Sequence, residues 1–94
     1  MKIKWTRKAL SDLEEAVQYI AESNPEAAER VAYKIFDSVE MLLDQPEIGR
    51  SGRVVGTREL IITDAPYIIP YRLKRNSIQI LRVLHSARKW PLSF

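Results

Sequence analysis

Tyr67-Ile68-Ile69-Pro70-Tyr71-Arg72-Leu73-Lys74-Arg75-Asn76-Ser77-Ile78-Gln79-Ile80-Leu81-Arg82-Val83-Leu84-His85 is the stretch that decides the fold. Its β-branched and aromatic residues recur with a period of two on either side of Arg75-Asn76-Ser77, which reads as two strands and a turn. A third strand, Thr57–Thr63, precedes it across Asp64-Ala65-Pro66. Connections this short make the three strands a consecutive antiparallel meander. Pro70 has no N–H to give to a ladder, so an irregularity is expected opposite it. Simple alternation places Tyr67, Ile69, Tyr71 and Leu73 on one face and Arg72 and Lys74 on the other. By the same count Arg82 shares a face with Ile78, Ile80 and Leu84, while His85 lies opposite with Leu81 and Val83. An arginine in so apolar a strand needs a partner if it is buried. Glu59 and Asp64, the two acids of residues 49–94, are the expected ones.

Working outward, Ile48-Gly49-Arg50-Ser51-Gly52-Arg53 and Gly56 read as loop. Before them the period is helical. Thr6 stands where an N-cap belongs, and Leu10, Leu13, Val17 and Ile20 mark one face of a helix over Arg7–Glu22. Asn24-Pro25-Glu26 restarts the chain with a cap, a pre-organised first turn and a favourable charge. Ala28, Val31, Ile35, Val39 and Leu42 then carry a second helix to Asp44, before Pro46. Lys2–Trp5 alternates as a short strand, and Ser86–Phe94 reads as an irregular tail. The expected architecture is a single α+β domain over residues 1–94, ordered βααβββ, with a helical hairpin packed on a small antiparallel-dominated sheet. One sheet face then meets the helices, and the other is a natural place for a groove.

The 94 residues, 46% of them hydrophobic and 29% charged, fit one soluble globular domain. The absence of cysteine excludes disulfides, thiolate metal sites and cysteine nucleophiles. No apolar run is long enough for a transmembrane helix and the start lacks a secretory h-region, so a cytoplasmic protein is expected. Charge is split between the halves. Residues 1–48 carry six Lys/Arg against ten Asp/Glu, and residues 49–94 carry nine against two. The basic half suits a polyanionic or acidic partner, or simply reflects acidic helices and basic strand ends.

His85 is the only histidine. With no cluster of ligands around it, neither a metal nor another cofactor is expected. It is a candidate general acid, or a residue that bonds a loop carbonyl. The glycines match neither a dinucleotide fingerprint nor a phosphate loop. Trp90 and Tyr71 are candidates for base stacking or for the core.

Three blocks in order carry a resemblance: Ile48-Gly49-Arg50-Ser51-Gly52-Arg53-Val54-Val55-Gly56-Thr57-Arg58-Glu59-Leu60, Pro66–Leu73, and Ile80-Leu81-Arg82-Val83-Leu84-His85-Ser86-Ala87-Arg88-Lys89-Trp90-Pro91. Together with the acidic hairpin, they resemble the RelE/ParE superfamily of bacterial type II toxins, also called plasmid stabilisation proteins. The resemblance covers nearly the whole chain. It implies a toxin that arrests growth, neutralised by a cognate antitoxin in a toxin–antitoxin hetero-oligomer, with no membrane partner. ParE-like members poison DNA gyrase without catalysis, whereas RelE-like members cleave mRNA on the ribosome. The Leu84-His85-x-x-Arg88 ending and the long hairpin look more like the ParE branch. On that reading Arg53, Arg58, Arg82, Arg88, Lys89 and Trp90 contact the target. If the chain is instead a ribonuclease, Arg58 and Arg82 would stabilise the phosphorane with Arg88, His85 would donate a proton, and Tyr71 or Glu59 would accept one. A nucleic-acid-binding module without toxicity is a third reading, weakened by the lack of a basic recognition helix.

Overall fold

The computed structural model describes all residues 1–94. In chain order the elements are β1 (Lys2–Trp5), α1 (Arg7–Ser23), α2 (Pro25–Glu40), a 3-10 turn (Met41–Leu43), β2 (Arg50–Ser51), β3 (Arg58–Ile61), β4 (Tyr67–Lys74), β5 (Ser77–Ile80) and β6 (Leu84–His85). The α+β architecture with a hairpin of two helices on one sheet is as expected from the sequence. Both caps form: the Thr6 hydroxyl accepts from the Ala9 amide, and Asn24 Oδ1 accepts from the Ala27 amide. Three details differ. The second helix stops at Glu40 and tightens into the 3-10 turn, the loop after it contributes the two-residue β2, and the final strand is broken in two.

The sheet runs β1-β5-β4-β3-β2, and β6 pairs with β4 beyond β5. β1 is parallel to β5, with Lys2 opposite Ser77 and Trp5 opposite Ile80, so the sheet is mixed rather than wholly antiparallel. The helices cover one face. Ala9 and Leu13 of α1 meet Ile35 and Val39 of α2, Leu42, and the inward residues Tyr67, Ile69, Tyr71, Ile78 and Ile80 of the sheet. Burying each such Ile, Leu or Val contributes about 2 kcal/mol before chain entropy is set against it. Trp5 closes the edge beyond β5, its ring tilted at 55° against Phe36 with centroids 5.4 Å apart.

The break between β5 and β6 has a definite cause. Between the pairs Tyr71–Ile80 and Ile68–Leu84, β4 supplies Ile69 and Pro70 while the facing chain supplies Leu81, Arg82 and Val83. One extra residue faces a proline that cannot donate, and only the Leu81 amide reaches across, to the Pro70 carbonyl at 2.9 Å. The insertion resets the alternation. Val83 turns inward to the core, His85 comes opposite Tyr67, and Leu84 moves to the Ile68 side. The uninterrupted alternation expected for residues 77–85 is therefore wrong from Leu81 onward.

Tyr71 ties the loop before β2 to the middle of the sheet. It is wholly buried; its hydroxyl donates to the Pro46 carbonyl at 2.8 Å and accepts from the Gly49 amide at 2.9 Å. A Cβ on Gly49 would lie 2.6 Å from the Tyr71 ring, so only glycine lets the loop approach this closely. Burial raises the Tyr71 phenol above its ordinary pKa, outweighing the opposing pull of the Gly49 amide bond, and burial raises Tyr67 likewise. A phenol that holds its proton more tightly folded than unfolded stabilises the fold fully below about pH 10, and that stability is lost as pH rises further. Tyr71→Phe should lower stability by about 2 kcal/mol at neutral pH, by stranding the Pro46 carbonyl and the Gly49 amide. In denaturant titrations it should also flatten the alkaline fall seen in the wild type.

Candidate functional site

α1 passes alongside β6 and the chain that follows it, and between them lies a cavity of about 370 Å³. Asp12, Glu15, Ala16 and Tyr19 line it from α1, Tyr67 from β4, and Arg82, Val83, Leu84, His85, Arg88, Lys89 and Trp90 from the C-terminal segment. The helical residues step by three and four, so they share one stripe of α1.

Asp12 organises the wall between the two elements. Its Oδ2 accepts from Arg82 Nε at 2.7 Å and from the Val83 amide at 3.0 Å, and its Oδ1 accepts from Arg82 Nη2 at 3.1 Å. The paired fork and carboxylate raise the Arg82 pKa, chiefly through the hydrogen bond to Asp12 against the opposing effect of burial. Arg82 is thus committed to Asp12 of the first helix rather than to Glu59 or Asp64. Glu59, 1% exposed, instead accepts from Arg50 Nε at 3.0 Å and from the Arg53 amide at 2.9 Å. Asp64 makes a surface pair with Lys34, a contact worth little in water.

His85 is half-buried in the groove wall. Its ring meets Tyr67 edge-on at 5.4 Å, and Nδ1 accepts from the Ala87 amide at 3.1 Å. That bond assigns the neutral ring's proton to Nε2, the nitrogen left for a partner. The His85 carbonyl accepts from the Arg88 amide and from Trp90 Nε1, folding the tail into a tight turn. Arg88 and Lys89 are exposed, with the Arg88 guanidinium 5.9 Å above the exposed ring of Tyr19. On the far side of the tail, the Arg53 guanidinium lies 3.8 Å over the Trp90 ring. No three His, Asp or Glu side chains converge as metal ligands would.

The family profile described as the ParE toxin of the type II toxin–antitoxin system parDE matches residues 3–90. The chain belongs to the ParE toxin family. Relatives agree. Y4kP, a toxin candidate of Sinorhizobium fredii, is 46% identical over 90 residues, covering 96% of this chain and 93% of its own. Toxin RelE2 of Caulobacter vibrioides is 34% identical over 87 residues, covering 93% and 97%. A solved structure titled as a chromosomal ParDE toxin–antitoxin system from P. aeruginosa superposes with a TM-score of 0.83 at 34% identity, over 90% of this chain and 95% of that one.

In this ParE-family toxin the residues singled out from sequence divide into two groups. Arg82, His85, Arg88, Lys89 and Trp90 line one groove. Arg58 lies outside it, donating to the carbonyls of Glu47 and Gly49, as do the internal Tyr71 and the Glu59-bound Arg53. Asp12, Glu15 and Tyr19 were missed. Their spacing was legible, but nothing in a single sequence says that the polar flank of α1 faces the C-terminal tail.

Glu59 offers a separate check on how the tail is held. Glu59→Gln should cost about 2 kcal/mol by weakening its bonds to Arg50 and Arg53. It should also shift the emission of Trp90 as Arg53 loosens above it, which a Trp5→Phe background would isolate.

Proposed function

We propose that this ParE-family toxin arrests growth by poisoning DNA gyrase, and that the groove and its tail make the target contact. The observation that carries this reading is the internal employment of the groups that RNA cleavage would most need. Tyr71 is buried with its hydroxyl bonded at both ends, Glu59 is bound by two arginines, and Arg58 holds loop carbonyls. What remains open is a basic tail, Arg88 and Lys89 beside the exposed ring of Tyr19, with Trp90 packed beneath Arg53. That suits docking onto a protein–DNA target better than proton transfer. A cognate antitoxin neutralises the toxin in a hetero-oligomer, and a gyrase target puts its site of action in the cytoplasm.

One observation favours the ribosome-dependent RNase reading. Glu15 and His85 line the same groove as Arg88, a set able to accept a proton, donate one and stabilise negative charge.

Purified toxin should inhibit gyrase supercoiling or trap cleaved DNA, and leave ribosome-bound mRNA intact. Arg88→Ala with Lys89→Ala should abolish the gyrase effect while changing stability by no more than about 0.5 kcal/mol. Codon-phased mRNA cuts that vanish in Glu15→Gln or His85→Ala, with gyrase unaffected, would establish the RNase reading instead.

A further inference from the structure

The sheet face turned away from the helices carries a second depression, about 410 Å³, lined by Lys2, Lys4, Lys74, Arg75, Asn76, Ser77 and Gln79 without one apolar side chain. Its composition follows from register. Lys2 is opposite Ser77, which is opposite Lys74; Lys4 is opposite Gln79, which is opposite Arg72. Two cross-strand rows therefore each begin and end in a cation, roughly 10 Å apart across the strands and roughly 7 Å from row to row. Arg72 is steered across its row by donating from Nε to Gln79 Oε1 at 2.6 Å. None of Lys2, Lys4, Arg72, Lys74 or Arg75 has an acidic partner. The one carboxylate on this face, Glu59, is buried and already held by Arg50 and Arg53.

Arg75 adds an independent observation. It occupies the β4–β5 turn with φ of 57°, left-handed backbone that favours glycine or asparagine. A long cationic side chain stands where local conformation argues against it, at the rim of the same depression.

We propose that this face binds the phosphate backbone of duplex DNA, independently of the groove beside α1. Five unpaired cations without a carboxylate among them suit a polyanion. The lack of any apolar or aromatic residue on the patch removes the anchors that an acidic peptide or an unstacked single strand would use. A regular, sequence-independent row of phosphates needs neither.

Fluorescence anisotropy with a labelled 24-base-pair duplex of arbitrary sequence tests this. If all five cations meet phosphates, log affinity falls against log salt with a slope of about −4.5, roughly a 500-fold loss between 50 and 200 mM. Lys4→Gln with Lys74→Gln should reduce the slope to about −2.7, roughly a 40-fold loss over the same range. Arg75→Gly should lower the slope by about 0.9 while leaving the melting temperature equal or higher, which separates lost contact from lost folding. Arg88→Ala with Lys89→Ala should leave the slope unchanged, whatever that variant does to gyrase. Slopes that respond to the tail variant and not to the sheet-face variants would overturn the proposal. So would tighter binding of a single-stranded RNA of equal length, or displacement of the duplex by polyglutamate at equal charge concentration.

Discussion

Asp12 and the chain from Arg82 to Val83 meet across some seventy residues of sequence, and the groove beside α1 depends on that meeting. The carboxylate accepts three hydrogen bonds, two from one guanidinium and one from a backbone amide freed by the break in the strand. Thr6, the cap of the same helix, adds a bond from its hydroxyl to the Leu81 carbonyl at 3.0 Å. The first helix is thereby fastened to the C-terminal strand at its start and at its second turn. The groove lies between them over the next two turns of the helix, from Asp12 to Tyr19, where the Arg88 guanidinium of the tail comes over the Tyr19 ring.

The break itself traces to Pro70. Had β4 and the last strand paired without interruption, Arg82 would have stood on the core face between Ile80 and Leu84, opposite Ile69, and His85 would have faced away from the helices. One extra residue opposite the proline lets the apolar Val83 enter the core and leaves Arg82 free to reach Asp12. A backbone irregularity, with no catalytic chemistry of its own, decides which side chains the groove contains.

Local signals were readable in the chain. Thr6, Asn24 and Pro25 announced both helix starts, the apolar steps announced the hairpin, and Pro70 announced an irregularity. Long-range pairings were not. Nothing near Lys2–Trp5 says that it will lie parallel to Ser77–Ile80, and nothing near Arg82 says that its carboxylate sits in the first helix. The basic half proved to be two populations. Arg50, Arg53, Arg58 and Arg82 hold the fold together through Glu59, Asp12 and loop carbonyls. Arg88 and Lys89 in the tail, and Arg72, Lys74 and Arg75 on the open sheet face, have no acidic partner. Net charge counts both alike, which is why composition alone could not separate arginines paired inside the fold from those without an acidic partner.

On the proposed reading Arg82, held by Asp12, positions the groove and does not itself meet the target. Growth arrest by Asp12→Ala, Arg82→Ala and the double variant, compared at equal soluble expression, tests it most directly. The account predicts that both single variants weaken arrest to a similar degree and that the double variant is no worse than either, as for two halves of one interaction. Full toxicity in Asp12→Ala alongside its loss in Arg82→Ala would contradict it, and would make Arg82 a contact residue.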